Sequence, residues 1–477
     1  MSHDTPPAPE PASGGALTTG LKGRQITMLS IGGVIGAGLF VGSSAAIAEA
    51  GPGVLVSFLI AATLVVLVMK MLGEMAVANP DTGSFSTYAD RALGRWAGFS
   101  IGWLYWWFYV LVIPIEAIAA GNIIGASLSV PTWIPAFVVI AVLAGTNLLS
   151  VRNYGEIEYW FALLKVVAII GFIVLGLTAI LGLLPSSEVS GPANLWAHGG
   201  FLPNGSIAVL AGLLTAMFAF QGSEIVTIAA AESAEPKRNI RKAINAVVWR
   251  LALFYIGSVL VVVLLVPWNA PGLEAGGSYQ AALETMNIPG AAVIMDVVVL
   301  VAVCSCLNSA VYTGSRMLFS LARRGDAPRF AGTTGPNGTP RAAVLASTVI
   351  GAVAVVVNYV VPELFGYLLA SSGAIVLMMY LVIAVTQLAT RRAMRARGTE
   401  SRLESPMWAF PYLTVLTIAG ISGILLAMAI LPGKRLELWL SIGLAVVLVV
   451  WGVVLQRRGQ PTTPAPAAVA PERTGTA

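Results

Sequence analysis

Charge is what this chain has least of. Asp, Glu, Lys and Arg make up 10% of its 477 residues, where a soluble domain carries roughly 25%. With 57% of residues hydrophobic, a soluble surface could not be covered with polar groups. Cysteine is equally scarce. Cys304 and Cys306 are the only two, which excludes a disulfide framework and leaves them expected as buried small residues. The two histidines, His3 and His198, fall in a tail and a loop, so no metal site is expected. No GxxxxGK[ST] loop occurs, which argues against ATP hydrolysis as the work of this chain. The first 20 residues have no basic start leading into an apolar run, and carry Asp4 and Glu10 instead. No cleavable signal peptide is expected from them.

What is abundant is apolar sequence in long runs. Runs of about 20 residues, the length a helix needs to cross a hydrocarbon core of roughly 30 Å, recur throughout. They cover 25–49, 53–78, 98–126, 132–149, 158–183, 207–231, 245–267, 289–321, 342–361, 364–390, 409–431 and 436–456. None alternates apolar with polar at period two, as a membrane β-barrel strand would. The expectation is an all-α membrane protein of about twelve transmembrane helices. Its net charge of +5 does not point to nucleic acid, because the basic residues alternate with the runs. Lys22, Arg24, Arg91, Arg95, Arg152, Lys237, Arg238, Arg241, Lys242, Arg323, Arg324, Arg329, Arg391, Arg392, Arg395, Arg397, Arg402, Arg457 and Arg458 all fall in segments on one side, and among the short loops of the other side only the last, with Lys434 and Arg435, breaks the pattern. Cytoplasmic loops are rich in Lys and Arg, so a multi-pass protein of the bacterial inner membrane is expected, with both termini in the cytoplasm. Residues 1–20 and 459–477 read as disordered tails on either side of a membrane domain over 21–458.

Glycine and polar atoms inside a membrane helix need a reason, since an unpaired backbone group in lipid costs several kcal/mol. The first run holds SIGGVIGAGLFVGSS, with Gly32, Gly33, Gly36, Gly38 and Gly42. The sixth holds MFAFQGSEIV, with Gln221, Gly222, Ser223 and Glu224 near its middle. Each could be a packing face or a buried polar network. Together they open two five-helix blocks, 25–183 and 207–390, and five being odd, the second block enters from the opposite side. This is the arithmetic of a 5+5 inverted repeat followed by two helices over 409–456, and paired broken helices point to a midplane site. Unwinding frees N–H groups on one half-helix and carbonyls on the other. A carboxylate would suit the backbone of Ile35, Gly36, Ala37, Gly38 and Leu39. An ammonium would suit Phe218, Ala219, Phe220, Gln221 and Gly222, with Ser223 beside them. A zwitterionic amino acid satisfies both.

Charges within the spans are candidates for function, because each costs at least ~2.5–3.5 kcal/mol near the bilayer centre. Glu116, Lys165 and Glu224 are candidates for ion coupling, with structural pairing as the alternative. Asp296 lies near an outer end. Lys70, Glu74 and Arg316 lie near inner ends, where snorkelling is the simpler expectation. The aromatic run GWLYWWFYV over 102–110 reads as an interfacial belt, or else as the wall of a substrate path.

LKGRQITMLSIGGVIGAGLFVGSSAAIAEAGP, EMAVANPDTGSFSTYADRALGRWAGFSIGWLYWW, EIVTIAAAESAEP, RRGDAP and SSGAI together resemble the amino acid permeases of the amino acid–polyamine–organocation superfamily, and among them the bacterial 4-aminobutyrate permeases. The resemblance runs from about Leu21 to Arg458. It implies a proton-coupled importer of a small amino acid, 4-aminobutyrate first and an aromatic or other neutral α-amino acid as the alternative, with no cofactor. By position it implies that Gly36-Ala37-Gly38 hold the carboxylate and that Phe218 is an aromatic outer gate. It implies that Lys165 stands where sodium sits in sodium-coupled relatives, and that Glu116 matches an acidic position of the branch. Arg241 departs from the pattern, many members having proline there. A non-transporting amino acid sensor is the alternative of another class, disfavoured because the inner loops reach only about 20 residues.

Overall fold

The computed structural model describes residues 21–458, apart from 33–34, 41, 185–190, 272, 274–276 and 362–363. The expected tails therefore lie outside the described residues. Helix dominates, and among the described residues the one β-type contact is an isolated bridge between Leu21 and Ser233. In chain order the helices are α1 (Gly23–Gly32), α2 (Ala37–Phe40), α3 (Gly42–Ala50), α4 (Val54–Ala78), α5 (Ser84–Leu93), α6 (Arg95–Leu128), α7 (Trp133–Leu149) and α8 (Val151–Ile180). They continue as α9 (Gly205–Ala219), α10 (Ile225–Ala231), α11 (Pro236–Arg250), α12 (Ser258–Leu265) and α13 (Ser278–Thr285). The series closes with α14 (Ala291–Arg323), α15 (Arg341–Val360), α16 (Leu364–Ala396), α17 (Tyr412–Ile430) and α18 (Arg435–Arg457). A π-helical stretch, Leu251–Gly257, joins α11 to α12.

Nine stretches of helix among the described residues are long and apolar enough to cross a membrane, and Trp133–Leu149 and Gly205–Met217 are shorter apolar helices. Their outer faces are apolar: Val349, Val353, Leu426, Val447 and Trp451 are exposed, as lipid contact allows and water would not. The boundaries follow local chemistry. Pro236 opens α11, where its missing N–H costs nothing. The Ser150 side chain caps α8 by accepting from the Asn153 N–H. Short α5 is amphipathic, burying Phe85, Tyr88 and Ala89. Long α6 is the axis of the molecule, packed against α5, α7, α14, α15, α16 and α18, while α1 lies between α8 and α11, and α3 against α9.

Three expectations about buried side chains are corrected here. Glu74 and Arg316 do not snorkel. Glu74 is 3% exposed and pairs with Arg391 at 2.8 Å and with Gln387 at 2.8 Å. Arg316, 1% exposed, reaches Glu232 at 3.3 Å and lies over the Tyr312 ring at 3.9 Å, a ring that stacks on Tyr154 at 4.0 Å. Cys304 and Cys306 are half-buried rather than buried. The aromatic run is not a belt at its centre, for Tyr105, Phe108 and Tyr109 are all buried. Lys70 does behave as expected, reaching Ser405 and the Trp408 ring, and Asp296 is exposed. Outside the spans, hydrogen bonds from Arg395 and Arg391 hold the Glu400 carboxyl down at about 2, clamping the turn after α16.

Candidate functional site

The backbone leaves the helix twice inside the bundle. Ile35 and Gly36 are non-helical between α1 and α2, and residues 220–224 are non-helical between α9 and α10. Gly222 takes φ +87° at the second break, a conformation that costs L side chains roughly 1 kcal/mol or more. The breaks face each other. A Cβ on Gly38 would come within 2.8 Å of the Ala219 Cα, and one on Gly36 would collide with the Cys306 thiol. Leu39 sits just beyond the first break, its N–H donating to the Gly36 carbonyl at 3.1 Å.

Between the breaks lies a small cavity of about 20 Å³, room for about one water. Gly36, Gly38, Ala219, Gln221 and Gly222 line it from the two breaks and their flanks, and Tyr109, Glu116, Cys306 and Ser309 from α6 and α14. Two buried oxygens in this wall, Glu116 Oε2 and Gln221 Oε1, have no hydrogen-bond partner among the described residues. A buried acceptor left bare costs about 1–3 kcal/mol, so the cavity is poised to take a donor. Phe220 and Ser223 lie in the second break behind this wall, the Ser223 hydroxyl donating to the Phe220 carbonyl at 2.9 Å. The side chains of Ala37 and Phe218, and with Phe218 the expected gate, lie outside the described ones.

Glu224 stands behind Gly222 and accepts from Tyr109 at 3.0 Å and Tyr105 at 3.2 Å. Its neighbour Tyr109 also lines the cavity, so Glu224 touches the site through that ring. Lys165 does not line the cavity. Fully buried, it donates to the Ile35 carbonyl at 2.8 Å and to Ser305 Oγ at 2.7 Å. Ser305 in turn donates to Glu158, whose other oxygen accepts from Asn308 at 3.2 Å. Asn147 completes the chain by donating to Asn308 at 2.8 Å. The first break is therefore tied through one lysine to a polar network on α7, α8 and α14.

Glu158, Ser305 and Asn308 are the functional candidates that sequence reasoning missed. The signal was present. Glu158 lies seven residues before Lys165, hence on the same helix face, but at the margin of its expected span, where a carboxylate looks interfacial.

The amino acid permease family model matches residues 25–460. A Pseudomonas aeruginosa protein named "Probable GABA permease" is 59% identical over 446 residues, covering 93% of this chain and 94% of its own length. The "Gamma-aminobutyric acid permease" of Escherichia coli is 56% identical over 441 residues, covering 92% and 94%. An aromatic amino acid transport protein of Corynebacterium glutamicum is 43% identical over 416 residues, covering 86% and 89%.

Proposed function

The chain belongs to the amino acid permease family and is a membrane transporter, not an enzyme; from that premise we propose that it imports 4-aminobutyrate together with a proton, by alternating access. The observation that carries the reading is the cavity between the two breaks. Glu116 Oε2 and Gln221 Oε1 offer bare acceptors to an ammonium, and backbone N–H groups freed at the first break, over Gly36, Ala37 and Gly38, would take the carboxylate. The cavity must widen to load, by less for an unbranched ω-amino acid than for one bearing an aromatic ring. The names of the two relatives at 59% and 56% identity support the same choice.

We infer twelve crossings from helix lengths, a number that suits the alternation. As one straight helix, the 41 residues of Gly38–Ala78 would run roughly 60 Å, about twice the hydrocarbon thickness. Divided at the turn Gly51–Gly53, they would make two crossings. Adding α7 and the α9–α10 pair gives twelve, with the breaks in the first and sixth, as an inverted repeat of five requires. Both termini then lie in the cytoplasm, consistent with the placement of Lys and Arg.

Competition uptake in proteoliposomes tests the substrate. 4-Aminobutyrate should displace a labelled substrate at concentrations at least roughly tenfold below those of phenylalanine or tryptophan, a typical discrimination for pocket fit. Equal or better competition by the aromatic amino acids would transfer the assignment to them. Lys165 supplies a fixed cation beside the first break, so the coupling ion is a proton. Uptake should follow an inward proton gradient in sodium-free buffer, and a strict need for sodium at constant pH would overturn that assignment.

A further inference from the structure

Arg250 is a second buried cation that holds a carbonyl of the first crossing, and the transport reading above leaves it unused. It ends α11 and is 2% exposed. Its Nη1 donates to the Ser30 carbonyl, and its Nη2 to Ser223 Oγ at 3.0 Å. Its Nε is buried and bare, and no carboxylate lies within ion-pair distance among the described residues. Tyr255, Tyr380 and Glu224 are the titratable groups nearest its charge. A guanidinium at this depth without a counter-ion is costly, so its surroundings must compensate.

The compensation comes from a helix end. Ser30 lies in the last turn of α1, where carbonyls have no partner within the helix and the dipole is negative. Lys165, from α8, holds the Ile35 carbonyl in the same break. The inner half of the first helix is thus gripped at its end by two cations, one from α8 and one from α11. The two grips differ in kind. Lys165 ties α1 to a polar network, whereas Arg250 ties it to the other break, since Ser223 belongs to the unwound segment between α9 and α10. Both partners of Arg250 are neutral, so letting go does not require separating an ion pair.

We propose that Arg250 is a latch of the transport cycle, bridging the inner half of the first helix to the second break while the cytoplasmic side is closed and releasing it when that side opens. The inference rests on alternating access with α1 on the cytoplasmic side. It assigns Arg250 a positioning role, exerted through Ser30 and Ser223 and without contact to substrate.

The test is which membrane face reaches the cavity. In a Cys304→Ser background of the full chain, Cys306 is the remaining thiol and it lines the cavity. A membrane-impermeant maleimide is applied to right-side-out and inside-out vesicles. Arg250→Gln should speed labelling of Cys306 from the cytoplasmic face by at least roughly tenfold and slow it from the outer face, the population shift expected from losing two hydrogen bonds of a charged donor. Ser223→Ala removes one anchor, keeps the cation, and should shift labelling the same way by less. It decides the matter if Arg250→Gln does not reach the membrane. Labelling in Ser223→Ala that is unchanged, or changed equally from both faces, would overturn the latch. Counterflow of 4-aminobutyrate by the chain with Arg250 and Ser223 intact, in the same vesicles, tests the transport reading separately. Absent exchange alongside a sided shift in labelling would retire the substrate and keep the latch.

Discussion

Replacing Lys165 with alanine should abolish accumulation driven by a proton gradient while leaving substrate exchange in place. The ammonium bridges the Ile35 carbonyl and Ser305 Oγ, and both are acceptors. A protonated lysine offers three donors and no acceptor; losing the proton removes a donor and the charge, so the hold on the first break weakens. Proton and substrate then bias the same two-state element, the position of the first helix against α8, and coupling is their shared effect on it. A gradient of two pH units stores about 2.7 kcal/mol, enough for accumulation of roughly 100-fold at full coupling. In Lys165→Ala this ratio should fall to about one, while counterflow, which needs only the two backbone half-sites, persists and responds little to pH between 5 and 8. The paired measurement is gradient-driven uptake and counterflow on equal amounts of inserted protein. Accumulation that survives the substitution would move the proton to Glu116 or Glu224, the buried carboxylates nearest the cavity.

The breaks were legible in the sequence because lipid punishes polar backbone. Five glycines in the first run and Gln221-Gly222-Ser223-Glu224 in the sixth have few other uses in a membrane helix, and the non-helical residues fall at 35–36 and 220–224. Lys165 stood out as a charge within a span, which lipid also penalises, and it is buried against the first break. What could not be read was rotation and partnership. Hydropathy gives the depth of Arg316 or Glu74 along a helix, and depth near an inner end suggests a side chain reaching for water. Whether it faces lipid or the bundle depends on helices far away in sequence: Glu232 lies 84 residues from Arg316, and Arg391 lies 317 from Glu74. Arg250 was hidden in this way too, a basic residue near an inner margin until α1 and the second break close around it. Cys306 looked like a small packing residue. Its place beside Glu116 in the cavity wall follows from how α14 packs on α6, which no local pattern encodes.

Valine at Gly38 should abolish substrate binding with insertion intact, and alanine should separate the roles of the two glycines. At Gly38 a Cβ meets the Ala219 Cα at 2.8 Å. That atom is backbone, so the two breaks must move apart, and overpacking of this kind costs about 1–3 kcal/mol even for a single methyl-sized intrusion. Borne by the closed, loaded state, the strain lowers affinity by roughly 5- to 150-fold. At Gly36 the obstacle is the Cys306 thiol, the end of a side chain that can rotate or be removed. Gly36→Ala should therefore bind more weakly than the native chain but better than Gly38→Ala, and Cys306→Ala added to Gly36→Ala should recover most of the loss. The same Cys306→Ala change should do nothing for Gly38→Ala. Valine at either position adds a β-branch that also strains the unwound turn, and no second change should rescue it. Binding measured by substrate protection against heat denaturation in detergent reads all of these without requiring turnover. Near-native affinity in Gly38→Val would reduce these glycines to helix packing and leave the carboxylate without its backbone site.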